Sequence, residues 1–327
     1  MAPHPDNIAN NLTPLNHDTL YHLANTLNPT ELNTWRATCR IADLTASHAL
    51  NLRYLATLQT FVHNPTHLRN MLRITSSVIS GSTALHILDV ERGKNWTPTD
   101  LDIYTPHYSA LQIVRYLCKV EHYHIHPNPA HYSYPISGFI AVFHLRRGDI
   151  KIDVIQSTTR SALHPLPYFW STHVMNYLTA DSFCIAYPEY TLHGKGLLNP
   201  IHLLDSVVPD RRVVANIQKY ITRGYDFRAR TTAWAADVDA PCDNPSACPR
   251  TIRFFGDKYC VIGSFTSHSD PSHYDRGLPD HDRTVRWWRG GPTCGGTCTH
   301  SYNAWERSKP KVQTCQLHHV LPSYILT

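Results

Sequence analysis

Residues 78–88 read VISGSTALHIL. Val78 and Ile79 end an apolar, β-type stretch that begins near Arg73, and Ser82–Val90 has the composition of a helix. Gly81-Ser82 stands at the corner between them. A helix that starts there leaves its first N–H groups free, and those groups favour an anion such as a phosphate. Glycine lets the backbone come close to a ligand, and the Ser82 hydroxyl adds a hydrogen-bonding group.

Further along, TDLDIYT (99–105) alternates acidic and apolar residues. A strand has period two, so Asp100 and Asp102 project from one face while Leu101 and Ile103 point to the core. GFIAVFHL and IKIDVIQS flank the turn sequence RRGD and predict a hairpin. In its second arm Ile150, Ile152 and Val154 share a face, and Asp153 takes the other beside Lys151 and Ile155. Three carboxylates on neighbouring strands repel unless a cation sits among them. A hard ion such as Mg²⁺, or Mn²⁺, wants such an oxygen cluster. Two such ions about 4 Å apart activate an attacking hydroxyl and stabilise the leaving oxygen of a phosphoryl displacement. One Asp-x-Asp by itself reads as a solvated strand edge, since surface Asp is ordinary; the ordered set is what points to a site.

The ordered set Gly81-Ser82, Asp100-Leu101-Asp102 and Asp153 resembles the polymerase-beta-like nucleotidyltransferase superfamily. The resemblance spans about 75 residues of core and implies an α+β fold with a nucleotidyltransferase-type mixed sheet. It implies that Asp100, Asp102 and Asp153 hold Mg²⁺, with Asp153 also helping to deprotonate the acceptor hydroxyl. It assigns Gly81 and Ser82 to the triphosphate, with Lys94, Lys151 and Lys195 as candidate counter-charges. The chain departs from the pattern in placing 17 residues between Ser82 and Asp100. The insertion ERGKNWTP there is expected to reshape the nucleotide pocket.

Residues 1–58 form the first of three expected regions. LNHDTLYHLANTL puts Leu20, Leu23 and Leu27 on one helical face, Asn28-Pro29-Thr30 breaks the helix, with Thr30 as N-cap, and the period resumes through Leu32, Trp35, Cys39 and Leu44. This run resembles an F-box, an adaptor module that binds Skp-type partners, although Asn16 stands where that family has proline after Leu15. It reads equally as a helical hairpin capping the next domain. The nucleotidyltransferase-like region is expected over 59–216, with a helix over YSALQIVRYLCKV whose apolar face is Leu111, Val114, Leu117 and Cys118, and a helix then a strand in HVMNYLTADSFCIAY, with Asp181 as the cap between them.

Residues 217–327 are Pro-rich and polar, with TIRFFGDKYCVIGSF as a candidate hairpin. Cys242, Cys248, Cys294 and Cys298 make a candidate zinc set, with plain structural thiols as the alternative. Trp287-Trp288 between two arginines suits either base stacking or a hairpin anchor. His122, His124, His126 and His131 suit a solvated strand face or a metal. The stretches CPRTIRFFGDKYC, VRWWRGGPTC and STHVMNYLTADSFCIAY resemble segments that accompany such domains in fungal proteins of unassigned function.

The net charge of +5 permits an anionic partner, such as a nucleoside triphosphate with RNA or protein as acceptor. No run of 18 apolar residues and no signal-peptide pattern occurs, so no membrane contact and a cytoplasmic or nuclear location are expected. No Gly-x-Ser-x-Gly elbow is present, which argues against a serine hydrolase. The readings left are a Mg²⁺-dependent nucleotidyltransferase, an F-box-type adaptor with an inactive nucleotidyltransferase fold, and a nucleotide- or RNA-binding module without turnover.

Overall fold

The computed structural model describes residues 16–127, 138–202, 211–234, 245–267, 285–290 and 311–314. Four helices come first: α1 (His17–Thr26), α2 (Pro29–Arg36), α3 (Arg40–Gln59) and α4 (Pro65–Ile74). Strand β1 (Val78–Ser80) runs directly into α5 (Gly81–Leu88), followed by a short α6 (Val90–Gly93) and β2 (Asp100–Thr105). Then come α7 (Ala110–Lys119), β3 (His124–Ile125), β4 (Phe139–Arg147) and β5 (Ile150–Ser157). Next are β6 (Asn176–Leu178), β7 (Ser182–Ile185), α8 (Pro188–Thr191), β8 (Lys195–Leu197), α9 (Arg211–Ile221) and β9 (Asp226–Arg228). The remaining strands are β10 (Arg253–Phe254), β11 (Val261–Ser264), β12 (Val285–Trp288) and β13 (Lys311–Thr314).

The fold is α+β, with a mixed sheet of eight strands in the order β11-β7-β6-β1-β2-β5-β4-β3. Within it only β2 and β5 run parallel. A core lies on each face. Leu101, Ile103, Ile152 and Val154 are fully buried on one face against Ile79, Phe183 and the helices, including Leu32, Leu50, Tyr54 and Leu58 of α2 and α3. On the other face Tyr104, Ile155, Tyr177 and Cys184 form a second core with Phe255 and Trp287. That second core stops short of the first residues of β2 and β5, so Asp100, Asp102 and Asp153 are only half-buried.

The N-terminal helices share the first core with the sheet, and α9 crosses residue 216. Arg36 fixes the packing: its Nε donates to Asp43 Oδ1 at 2.8 Å and its other nitrogens donate to the Ser264 and Thr266 carbonyls.

Several local expectations are corrected. The N-cap of α2 is Asn28, whose side chain accepts from the Thr30 and Glu31 amides while the Glu31 carboxylate accepts from the Asn28 N–H. Pro29 suits the first helical position, so the cap falls one residue earlier than Thr30. On α1 the buried residue is Ala24, and Leu23 is exposed. On α7 Leu111 is exposed and Ile113 takes its place in the core. Residues 176–185 form a hairpin, not a helix and a strand, because Thr179 closes a tight turn onto Ser182. Asp181 lies in that turn and binds Arg73, so it caps no helix. The expected hairpin over 251–265 splits: β11 joins the edge of the large sheet at β7, and β10 pairs with β12. Trp287 is buried against Phe255 and donates to Tyr187, so it anchors the core. No helix among the described residues is long and apolar enough to cross a membrane.

Candidate functional site

β1 and β2 are antiparallel, with Ser80 opposite Asp102, so the start of α5 lies against the acidic end of β2. Gly81 has φ +66°, a left-handed conformation that disfavours a side chain. A Cβ there would stand 2.6 Å from Asp102 Oδ2. The sequence placed glycine at this corner to admit a ligand; the structure adds that the closest group is the Asp102 carboxylate. The first turn of α5 is stitched to the same strand: Ser82 Oγ donates to Asp100 Oδ1 at 3.3 Å, and Thr83 Oγ1 donates to the Asp100 carbonyl at 2.9 Å.

β5 runs beside β2 with Asp153 in register with Asp102 and Lys151 in register with Asp100. Register partners in adjacent strands share a face. The three acidic residues of the sequence pattern are therefore brought together. Burial raises the Asp102 pKa well above the carboxylate range, repulsion from Asp100 and Asp153 raises it further, and Lys219 partly offsets them. Among the described residues Asp102 has no hydrogen bond or ion pair of its own.

Sequence reasoning missed three contributors. His144 of β4 lies opposite Asp153, and the ring Nδ1 is 2.8 Å from Asp153 Oδ1. The two-residue turn Gly148-Asp149 fixes that hairpin register, so counting outward from it would have found the pair. Lys219 of α9 acts on Asp102, and Tyr220 beside it feels both Asp100 and Asp102. Nothing local in the sequence signals that α9 returns to this corner.

The insertion after α5 is ordered. Asp89 caps α6 and accepts from Tyr225 at 2.6 Å, and Trp96 packs on His86 while the Arg223 guanidinium stacks on the Trp96 ring at 3.9 Å. These residues extend a third apolar cluster built around Leu85, Tyr220, Tyr225 and Phe227.

The remaining candidates fall elsewhere. Lys94 is exposed just after α6. Lys195 lies in the two-stranded sheet of β8 and β9, with its ammonium over Trp234. Cys242, Cys294, Cys298 and His131 lie outside the described residues; Cys248 is a buried free thiol. His124 and His126 are exposed at the sheet edge. A cleft of about 310 Å³ lies apart, between α3 and α4, where Arg69 binds the Ala180 carbonyl and Arg73 binds Asp181.

The donor set fits a hard divalent cation in chemistry: three carboxylates, one of them unpartnered and destabilised as an anion by the other two. The side chains are not gathered for one. Asp100 receives Ser82, Asp153 is bound to His144, and among the described residues no group of three or more acidic, His or Cys side chains is arranged to hold a metal.

Comparison of the chain with family models, with curated proteins and with solved structures finds no match.

Gly81→Ala tests the corner. The left-handed backbone costs about 1–2 kcal/mol for a residue with a side chain, and the new methyl must push Asp102 aside. The expected result is a lower melting temperature, read from thermal melts. Ser82→Ala, which loses only a long hydrogen bond, is expected to melt as the wild type does.

Proposed function

We propose that the protein is a Mg²⁺- or Mn²⁺-dependent nucleotidyltransferase. One observation carries the reading: Gly81-Ser82 opens a helix against Asp100 and Asp102, with Asp153 in register on the neighbouring parallel strand. In the reaction the acceptor hydroxyl oxygen attacks the α-phosphorus of a nucleoside triphosphate. The bond from the α-phosphorus to its bridging oxygen breaks, and pyrophosphate leaves. Asp100, Asp102 and Asp153 would hold the ion, with Asp100 turning from Ser82 and Asp153 offering the carboxylate oxygen that His144 leaves free. When bound, the ion supplies charge neutralisation at the phosphates and acidifies the acceptor hydroxyl. Asp153 takes the hydroxyl proton, and His144 keeps that carboxylate oriented. The α5 N-terminus would face the triphosphate, and Lys219, whose charge favours the Asp102 anion, would add a positive charge nearby.

The test is incorporation of α-labelled ribonucleotides by the purified full chain with Mg²⁺ or Mn²⁺, total RNA and a protein lysate. Label that depends on the ion and on Asp102 supports the reading. Its absence from folded protein under every condition overturns it.

A second reading, the Skp-binding adaptor, has one observation of its own: Ile41 and Leu44 on α3 are 60% and 46% exposed. Two exposed aliphatic side chains three residues apart offer a helix face to a partner. Capture of an Skp-type adaptor by the wild type, lost in Ile41→Asp/Leu44→Asp, would favour it.

A further inference from the structure

Beyond the carboxylates, the same face of the sheet carries a line of basic side chains, two of them permanently cationic. Asp100 on β2 is in register with Lys151 on β5, Lys151 with Arg146 on β4, and Arg146 with His124 on β3. Lys151, Arg146 and His124 are all exposed, beyond the edge of the second core. Among the described residues neither Lys151 nor Arg146 forms an ion pair. The contrast with the next residue is informative. Arg147 points to the other face and is fully engaged, by Glu121 at 3.3 Å and by the Phe61 carbonyl at 2.7 Å. Like charges directly opposite each other on paired strands destabilise a sheet. The Lys151–Arg146 pair, relieved on one side only by Asp100 in register with Lys151, is therefore a cost that a bound anion reduces.

We propose that this row is the track for the acceptor, a single-stranded RNA whose phosphates lie on Lys151, Arg146 and His124 and whose 3′ end reaches Asp153. Three adjacent strands span about 10 Å, which accommodates about three stacked nucleotides at ~3.4 Å each. One line of basic side chains, each able to donate to a phosphate oxygen, matches one phosphodiester backbone. A nucleic-acid strand also combines a repeating negative charge with a terminal hydroxyl, which an acidic peptide does not. Cellular DNA is paired along nearly all its length, whereas RNA offers free single-stranded ends and loops. Lys151 thereby belongs to the acceptor flank, and Lys219 to the triphosphate flank. The orientation of the strand rests on the nucleotidyl-transfer reading; the binding does not.

The experiment is fluorescence anisotropy of a 5′-fluorescein oligouridylate with the full chain and no nucleotide, over a salt series. Lys151→Ala/Arg146→Ala is expected to weaken Kd about tenfold and to reduce the log–log salt slope by about 0.7 for each cation removed. Both side chains are exposed and repel each other across the paired strands, so the melting temperature is expected to hold or to rise. Arg115→Ala/Lys119→Ala, on α7 behind the sheet, is expected to change nothing. Unchanged affinity in the row variant, equal loss in the α7 variant, no binding at low salt, or preference for the deoxyoligonucleotide would each overturn the proposal. RNA binding through the row in a protein that never transfers a nucleotide would remove the catalytic reading and keep this one. Transfer to another acceptor without RNA binding would do the reverse.

Discussion

Asp102→Asn is expected to abolish nucleotidyl transfer, by a factor on the order of a thousand or more, while raising the melting temperature by a few degrees. Both effects come from one arrangement. Asp102 stands between Asp100 and Asp153, against the bare α-carbon of Gly81, and its charge is opposed by burial and by both neighbours. Its pKa is higher in the fold than in the unfolded chain. The folded state therefore binds the proton more tightly, and ionisation weakens the fold as pH rises past the unfolded value of about 3.9. Asparagine has the same shape without the charge, so its stabilisation is present at neutral pH and fades towards pH ~4. Relief of an unpaired, partly buried charge is worth about 1–2 kcal/mol. Mg²⁺ should raise the melting temperature of the wild type and leave that of the variant in place. Without Mg²⁺ the wild type should gain stability on acidification at a pH above the ordinary carboxylate range, where Asp102 takes up its proton. Melts at both ends of the pH range, with and without Mg²⁺, check the stability side, and label incorporation checks the chemistry. A variant less stable at both pH values would mean that Asp102 serves the fold as a hydrogen-bond acceptor, and the site reading would fall.

Much of this corner was legible in the sequence because its signals are local. The alternation around Asp100 and Asp102 depends only on the period of a strand, and a helix opening on Gly-Ser depends only on neighbours in sequence. Asp153 was placed on the correct face by the same period, and the paired acidic strands follow. His144 was equally within reach, through the hairpin register. Long-range placement was not. Lys219 reaches Asp102 only because the chain returns after more than a hundred residues, and no periodicity records that. Short apolar runs also remained ambiguous: Asn176–Leu178 has too few residues to separate helix from strand, and the turn bonds of Thr179 decide it. Val261–Ser264 has strand character either way, but its partner is chosen by the free edge of β7.

Arg253→Met is expected to be among the most destabilising single changes in the described structure, at about 3–5 kcal/mol. Arg253 is 1% exposed in the second core, yet its guanidinium is well provided for. It donates to Asp257 Oδ2 at 2.5 Å and Oδ1 at 3.0 Å, to the Ser246 carbonyl at 2.8 Å and to the Ala186 carbonyl at 2.6 Å. The rings of Tyr187 and Trp287 lie beside it, at 4.6 and 5.9 Å. Ala186 follows β7 directly, so one side chain fastens residues 245–260 to the large sheet. Methionine has about the right length, and the loss arises from what is left behind: a buried Asp257 without its cation and two carbonyls without donors. The pair itself need not be net stabilising, since two charges were removed from water to make it. Arg253→Met/Asp257→Leu should therefore recover a large part of the loss. Urea unfolding of both variants separates the terms. Recovery in the double variant locates the cost in the orphaned carboxylate. No recovery locates it in the carbonyls and ring contacts, which only the guanidinium can serve. A single variant within about 1 kcal/mol of wild type would mean that residues 245–260 fold onto the sheet without this tie. The second core ends beneath Asp102 and Asp153, so a loosened Arg253 should also lower turnover per folded molecule, and the pair should restore both together.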